Sequence, residues 1–239
     1  MLNLFTSLGI GLVVTLALYL PHFLRLGEAI VPGVIAAIVT MFLLGRRVFK
    51  EVEVIMTDAA KDLQAQRFDI AIATLKKGYA LNRRQFGVRS QIDSQIGMIL
   101  FLRKDTNAAI PYLESSKRLG HWLGVAMLAV GYYKKKDHVR MKETFELLVN
   151  KGKKQGLAWN LYAYCLSQIG DSAGAQAILA RGEAAATGDN RVKENLLAVQ
   201  NGKKIKMKGY ANDWYQFHLE APPMQTMDGR GVFSARRRR

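Results

Sequence analysis

The chain opens with two long uncharged stretches and then changes pattern. Leu2 to Leu20 carries no charged residue, and a second uncharged run covers Ala29 to Gly45. At about 1.5 Å per helical residue, each reaches about 25 to 28 Å, close to a hydrocarbon core of about 30 Å. Val48 and Phe49 extend the second run, while Arg46 and Arg47 can snorkel to the headgroups. The connection from Pro21 to Glu28 is long enough only to turn the chain, and Pro32 falls near the start of the second helix, where proline is tolerated. The pattern predicts an antiparallel transmembrane hairpin over residues 1–50 that meets the bilayer at 2–20 and 29–45. Ser7 and Gly11, and Gly33 and Ala37, have the four-residue spacing that lets membrane helices approach closely. A soluble fold with a buried apolar hairpin would need two adjacent runs of this length, which is uncommon. No basic residue precedes the first run and Pro21-His22-Phe23 follows it, so it does not read as a cleaved secretory signal.

From about Val52 onward the apolar positions follow a helical period with no alternating run, so the remainder reads as all-α. A small residue stands twelve before a second position in four places: Ala59 and Ala71, Gly97 and Ala109, Ala129 and Met141, Ala163 and Ala175. Four residues beyond each second member comes Leu75, Leu113, Phe145 or Leu179. Two antiparallel helices cross closely where both present a small side chain and a bulky one fills the gap beside them. Polar turn signals lie between the paired positions, at Lys104-Asp105, Lys136-Asp137 and Gly170-Asp171, with Arg67-Phe68-Asp69 in the first unit.

These units resemble the tetratricopeptide repeat family, whose helix-turn-helix repeat is about 34 residues long. The matching residues include Ile96-Gly97, Leu128-Ala129 with Tyr132, and Trp159 with Gly170-Asp171 and Ala175. Met141 and Leu148 depart from the family's preference for small residues, and the first interval is the longest. The resemblance implies an α-solenoid of about four helix pairs over residues 51–200. Asp189 or Asn190 would start a capping helix carrying Val192, Leu196, Leu197 and Val199. Residues 201–239 form a third region, basic and aromatic, ending in a tail that reads as disordered from Ala221.

Composition sharpens the picture. The formal charge is +16, from 35 basic and 19 acidic residues. Only Arg25 and Glu28 fall within the first 45 residues, so two regions in different solvents are implied. Arg46, Arg47 and Lys50 follow the second run and Arg25 stands alone in the connection, so the positive-inside bias places the connection outside and the bulk of the chain in the cytoplasm. The single Cys agrees with a reducing compartment, and compactness with topology points to a bacterial inner membrane.

Little in the sequence suggests chemistry. His22, His121, His138 and His218 have no metal-ligand spacing, and Cys165 falls among apolar residues of a repeat helix. No phosphate loop, dinucleotide fingerprint or nucleophile elbow is present, so neither an enzyme nor a cofactor is expected.

The family's inward-facing positions, carried over unit by unit, imply a protein-binding groove at Met98 and Phe101, at Tyr133 and Lys134, and at Asn160, Tyr164 and Gln168. Phe101, Tyr133 and Tyr164 would anchor an apolar or amphipathic segment. Residues 201–239 hold nine basic and three acidic groups. Arg46, Arg47, Lys203, Lys204 and Arg236, Arg237, Arg238 and Arg239 are candidates for anionic lipid or partner contacts. The expectation is a membrane-anchored scaffold or adaptor that binds a partner protein. The alternative is an accessory subunit of a larger membrane complex, with an RNA or anionic-polymer binder a more distant third.

Overall fold

The computed structural model describes residues 2–21 and 23–221, and among these the chain is all-helical, with eleven α-helices and no strand. Helices α1 (Leu2–Tyr19) and α2 (Leu26–Gln64) pack as an antiparallel hairpin. Their crossing is close because glycine faces glycine. A Cβ on Gly11 would meet the Gly33 carbonyl oxygen at 2.7 Å and Ala37 Cβ at 2.8 Å, and one on Gly33 would fall on the Thr15 hydroxyl. Asn3, Ser7 and Gly11 of α1 are buried, while Leu12, Val13, Ile35 and Ile38 are exposed. Of the most apolar 18-residue window in each helix, only 17% and 11% is buried. A hairpin serving as the core of a soluble fold would show the reverse. Both helices are long and apolar enough to cross a membrane.

α2 starts earlier than the uncharged run. Glu28 accepts a hydrogen bond from the Arg25 backbone N–H at 3.3 Å and so helps to start the helix. Pro32 therefore lies inside α2, in its second turn. At its other end α2 does not stop at the expected boundary at residue 50. No Gly or Pro interrupts residues 46–64, and the helical stripe continues through Val48, Val52 and Ala59. These three residues are buried against α3 (Phe68–Lys77), a 3-10 turn (Gly78–Arg83) and α4 (Val88–Leu102).

Beyond α4 the helices continue in packed pairs. α4 lies on α5 (Thr106–Ser116), α6 (Trp122–Lys134) on α7 (His138–Lys151), and α8 (Gly156–Gln168) on α9 (Ser172–Ala185), with α10 (Asn190–Gln200) against α8 and α9. The expected small-residue positions are buried at every crossing, as are Leu75, Leu113, Phe145 and Leu179. One turn geometry recurs between partners. Gln66, Lys104, Lys136 and Gly170 have φ between 60° and 86°. The next residue in each turn donates its N–H to the carbonyl five back, for example Asp105 to Leu100 at 3.0 Å and Asp137 to Tyr132 at 3.0 Å. Asp105, Asp137 and Asp171 then cap α5, α7 and α9, accepting from the N–H groups of Ala108, Arg140 and Gly174. Each turn thus closes one helix and opens its partner within a few residues.

After α10 the chain folds back. An extended stretch, a 3-10 turn (Lys208–Tyr210) and the short helix α11 (Asn212–Tyr215) return across the molecule. Ile205, Met207, Tyr210, Trp214 and Phe217 are buried in the same core as α6 to α9.

Candidate functional site

Side chains of α4, α6, α8 and α10 meet the returning segment, which lies across them as a strap. The strap crosses the helices in reverse order. Near its start, the Lys206 backbone N–H donates to Asn195 Oδ1 on α10 at 2.8 Å, and Asn195 Nδ2 donates to the Lys206 carbonyl at 3.1 Å. Asn195 therefore pairs with the strap as a neighbouring β-strand residue would. Its Nδ2 also donates to Asn160 Oδ1 on α8 at 2.8 Å, and Asn160 Nδ2 donates to the Tyr210 hydroxyl at 2.7 Å. Tyr210 completes the chain by donating to Asp189 Oδ2 at 2.9 Å. Arg191 grips the same Asp189 carboxylate, donates to the Gly209 carbonyl at 2.9 Å and lies 3.8 Å over the Tyr210 ring. Every buried polar atom of this network has a partner, the condition under which such a network fixes one arrangement.

Further along, Trp214 packs edge-on against the Tyr164 ring at 4.8 Å and is 0% exposed. Glu220 accepts from the Tyr164 hydroxyl at 3.3 Å and from Trp214 Nε1 at 3.2 Å. On α6, Lys134 Nζ donates to the Phe217 carbonyl at 2.9 Å and sits 4.8 Å over the Phe101 ring. On α4, Phe101 stacks on His218, whose Nε2 lies 3.2 Å from the Leu102 carbonyl.

These environments shift several ionisations. Burial raises the Asp189 carboxyl, but hydrogen bonds from Arg191 and Tyr210 outweigh it and the net shift is downward. Burial, with Glu220 beside it, pushes the Tyr164 hydroxyl up to about 12. Burial, with Lys104 nearby, lowers the Lys134 ammonium. Burial lowers the His218 imidazole too, assisted by Lys134 and Lys104 and opposed by its bond to Leu102.

The structure thus brings Phe101, Lys134, Asn160 and Tyr164 together, with the chain's own strap against them. Met98 and Tyr133 are half-buried against the same core, and Gln168 is exposed. Arg46 and Arg47 are exposed just beyond the second apolar run, and Lys203 and Lys204 are exposed at the foot of the strap. Arg236 to Arg239 lie outside the described residues, as do His22 and the expected tail from residue 222 onward.

Sequence reasoning missed Asn195, Asp189 and Arg191 as strap contacts. A signal was present for the first: Asn195 is a polar residue on the apolar stripe formed by Val192, Leu196 and Val199. It also missed a cleft of about 560 Å³ between the 3-10 turn, α4 and α5. The buried Asp93 in its wall accepts from the Tyr79 hydroxyl and from Ser115 Oγ at 2.7 Å, with Arg89 at 3.6 Å. Among the described residues no group of three or more His, Cys, Asp or Glu could hold a metal. Cys165 is wholly buried in α8, and burial pushes its thiol up. No protein-family model, curated protein or solved structure matches the chain.

Proposed function

We propose that this chain is a membrane-anchored scaffold: the α1–α2 hairpin crosses the bilayer and the paired helices form a tetratricopeptide-like α-solenoid that holds a partner protein beside it. The observation that carries this reading is the continuity of α2. One helix runs from an apolar, outward-exposed half into a half whose Val48, Val52 and Ala59 stripe is buried in the core that α2 shares with α3, the 3-10 turn and α4, with no linker between them. An anchor joined in this way restricts the orientation of the body as well as its distance from the membrane, which raises the effective concentration of anything bound to it. The basic cluster at Arg46, Arg47 and Lys50 supports a cytoplasmic body.

Peptide capture in the groove would have to displace the strap. Re-exposing Met207, Trp214 and Phe217 would cost about 1.5–3 kcal/mol each. In our reading the strap therefore stays in place and the partner docks on outer helix faces. The buried strap also favours a second reading, a constitutive subunit of a larger membrane complex in which the body fills an interface. Solubilisation in mild detergent separates the two. A scaffold co-migrates with its partner in part, whereas a subunit migrates in one large complex at constant stoichiometry. A chain that migrates alone under every condition contradicts both.

A further inference from the structure

The loop between the 3-10 turn and α4 is a third candidate contact with the bilayer. It is held against the hairpin at the end facing the helical body. The Asn3 backbone N–H donates to the Arg84 carbonyl at 3.1 Å, and Asn3 Nδ2 donates to Gln85 Oε1 at 3.3 Å. Gln85 Oε1 also lies 3.9 Å from where a Cβ on Gly45 would stand, so the loop touches both helices at one level. That level is where the second uncharged run closes, at Gly45, just before Arg46 and Arg47. The loop is braced from the other side as well, since Arg84 Nη1 donates to both Glu51 carboxylate oxygens at 3.0 and 3.1 Å. Gly87, at φ +87°, then turns the chain into α4, a backbone that other residues adopt only with strain.

Between these fixed points stands Phe86, 65% exposed. A braced loop that presents a large aromatic side chain to water gains nothing from it. At the edge of a bilayer the same ring can be buried at the headgroup and acyl boundary, beside Phe5 and Phe49, both also exposed. Arg46, Arg47 and Lys50 are exposed at the same level of α2 and, among the described residues, have no ion pair. Anionic headgroups fit this set, because each basic residue near such a surface adds attraction within a Debye length.

Resting on the hairpin reading above, we infer that the 84–87 loop docks on an anionic leaflet, with Phe86 in the headgroup layer and Arg46, Arg47 and Lys50 on the lipid phosphates. With α2 it would fix the helical body at two points and set its tilt on the membrane.

The test uses the full chain in vesicles of phosphatidylcholine and phosphatidylglycerol. An environment-sensitive thiol dye is placed singly at Phe86→Cys, Ile35→Cys and Val139→Cys, and the unsubstituted chain, whose Cys165 is buried, serves as the labelling blank. Quenching by lipids carrying a nitroxide at the headgroup or deep in the acyl chain reports depth. Expected are at least twofold quenching at position 86 by the shallow quencher, deep quenching at 35 and none at 139. Quenching at 35 without quenching at 86 overturns the loop proposal and leaves the hairpin standing. No quenching at 35 overturns both. In vesicles of phosphatidylcholine alone, quenching at 86 should fall at least twofold while that at 35 is unchanged. Equal quenching at 86 in both vesicle types overturns the headgroup charge component.

Discussion

The hairpin and the helical body use the same helical period with opposite contents. In α1 the buried positions are Asn3, Ser7 and Gly11, and Leu, Val, Ile and Phe face outward. In α6 to α9 the buried positions include large Val, Leu, Phe, Met, Tyr and Trp side chains beside the small residues of the crossings, and Lys, Arg and Glu face outward. A face is buried because it packs well against its neighbour, and the solvent decides what the other face can be. In lipid, apolar burial supplies no drive, so close approach through small residues holds helices together. In water, burial of large side chains does so. α2 carries both rules in one helix and changes from one to the other near Gly45 to Val48.

Substitutions can break this contrast at several points. The largest effect should come from Trp214→Ala, which empties a fully buried site in the body and should cost about 3–5 kcal/mol. Ile35→Ala, at an outward-facing apolar site of α2, should leave stability nearly unchanged. Thermal unfolding of both variants in lipid nanodiscs, followed by circular dichroism, checks the difference. Next, Gly33→Leu forces α1 from α2 and should cost about 1–3 kcal/mol in the hairpin alone. Hydrogen exchange should quicken in α1 while α6 to α9 keep wild-type protection; equal loss in both would mean the two regions share one stability. Asn195→Ala leaves the Lys206 backbone N–H and carbonyl and the Asn160 Oδ1 without their partner, a loss of about 1–3 kcal/mol. Its signature is faster exchange in residues 205–217, with the helix pairs unaffected. The smallest effect should be a gain: Lys136 adopts φ 60°, so Lys136→Gly should stabilise the body by about 1 kcal/mol, read as a higher Tm.

Much of the fold was legible because it depends on local rules. The uncharged runs marked the hairpin, and the spacing from Ala59 to Leu179 marked residues that are buried at the crossings. The polar pairs marked the turns, where the structure has Asp105, Asp137 and Asp171 cap the second helices. The continuity of α2 past residue 50 was harder to see, because a change of solvent suggested a change of element. Nothing in the backbone required one: residues 46–64 lack helix breakers and keep their stripe. The strap was the main gap. The aromatic content of residues 201–239 was visible, but the partners of Tyr210, Trp214 and Phe217, namely Asn160, Tyr164 and Lys134, lie on α8 and α6, far away in sequence. Nor does any period link Lys206 to Asn195 or Phe217 to Lys134. The groove candidates Phe101, Lys134, Asn160 and Tyr164 all meet one segment, and that segment is the chain itself.

The account rests on two solvents for one chain, and a pair of cysteine substitutions tests it most directly. Ile35 and Val139 are both well exposed, at 55% and 71%. In intact membranes opened on both sides, a polar thiol reagent that does not enter lipid should modify Val139→Cys promptly and leave Ile35→Cys untouched. Modification of both at similar rates would contradict the account, because it would place the first helices in water with the rest.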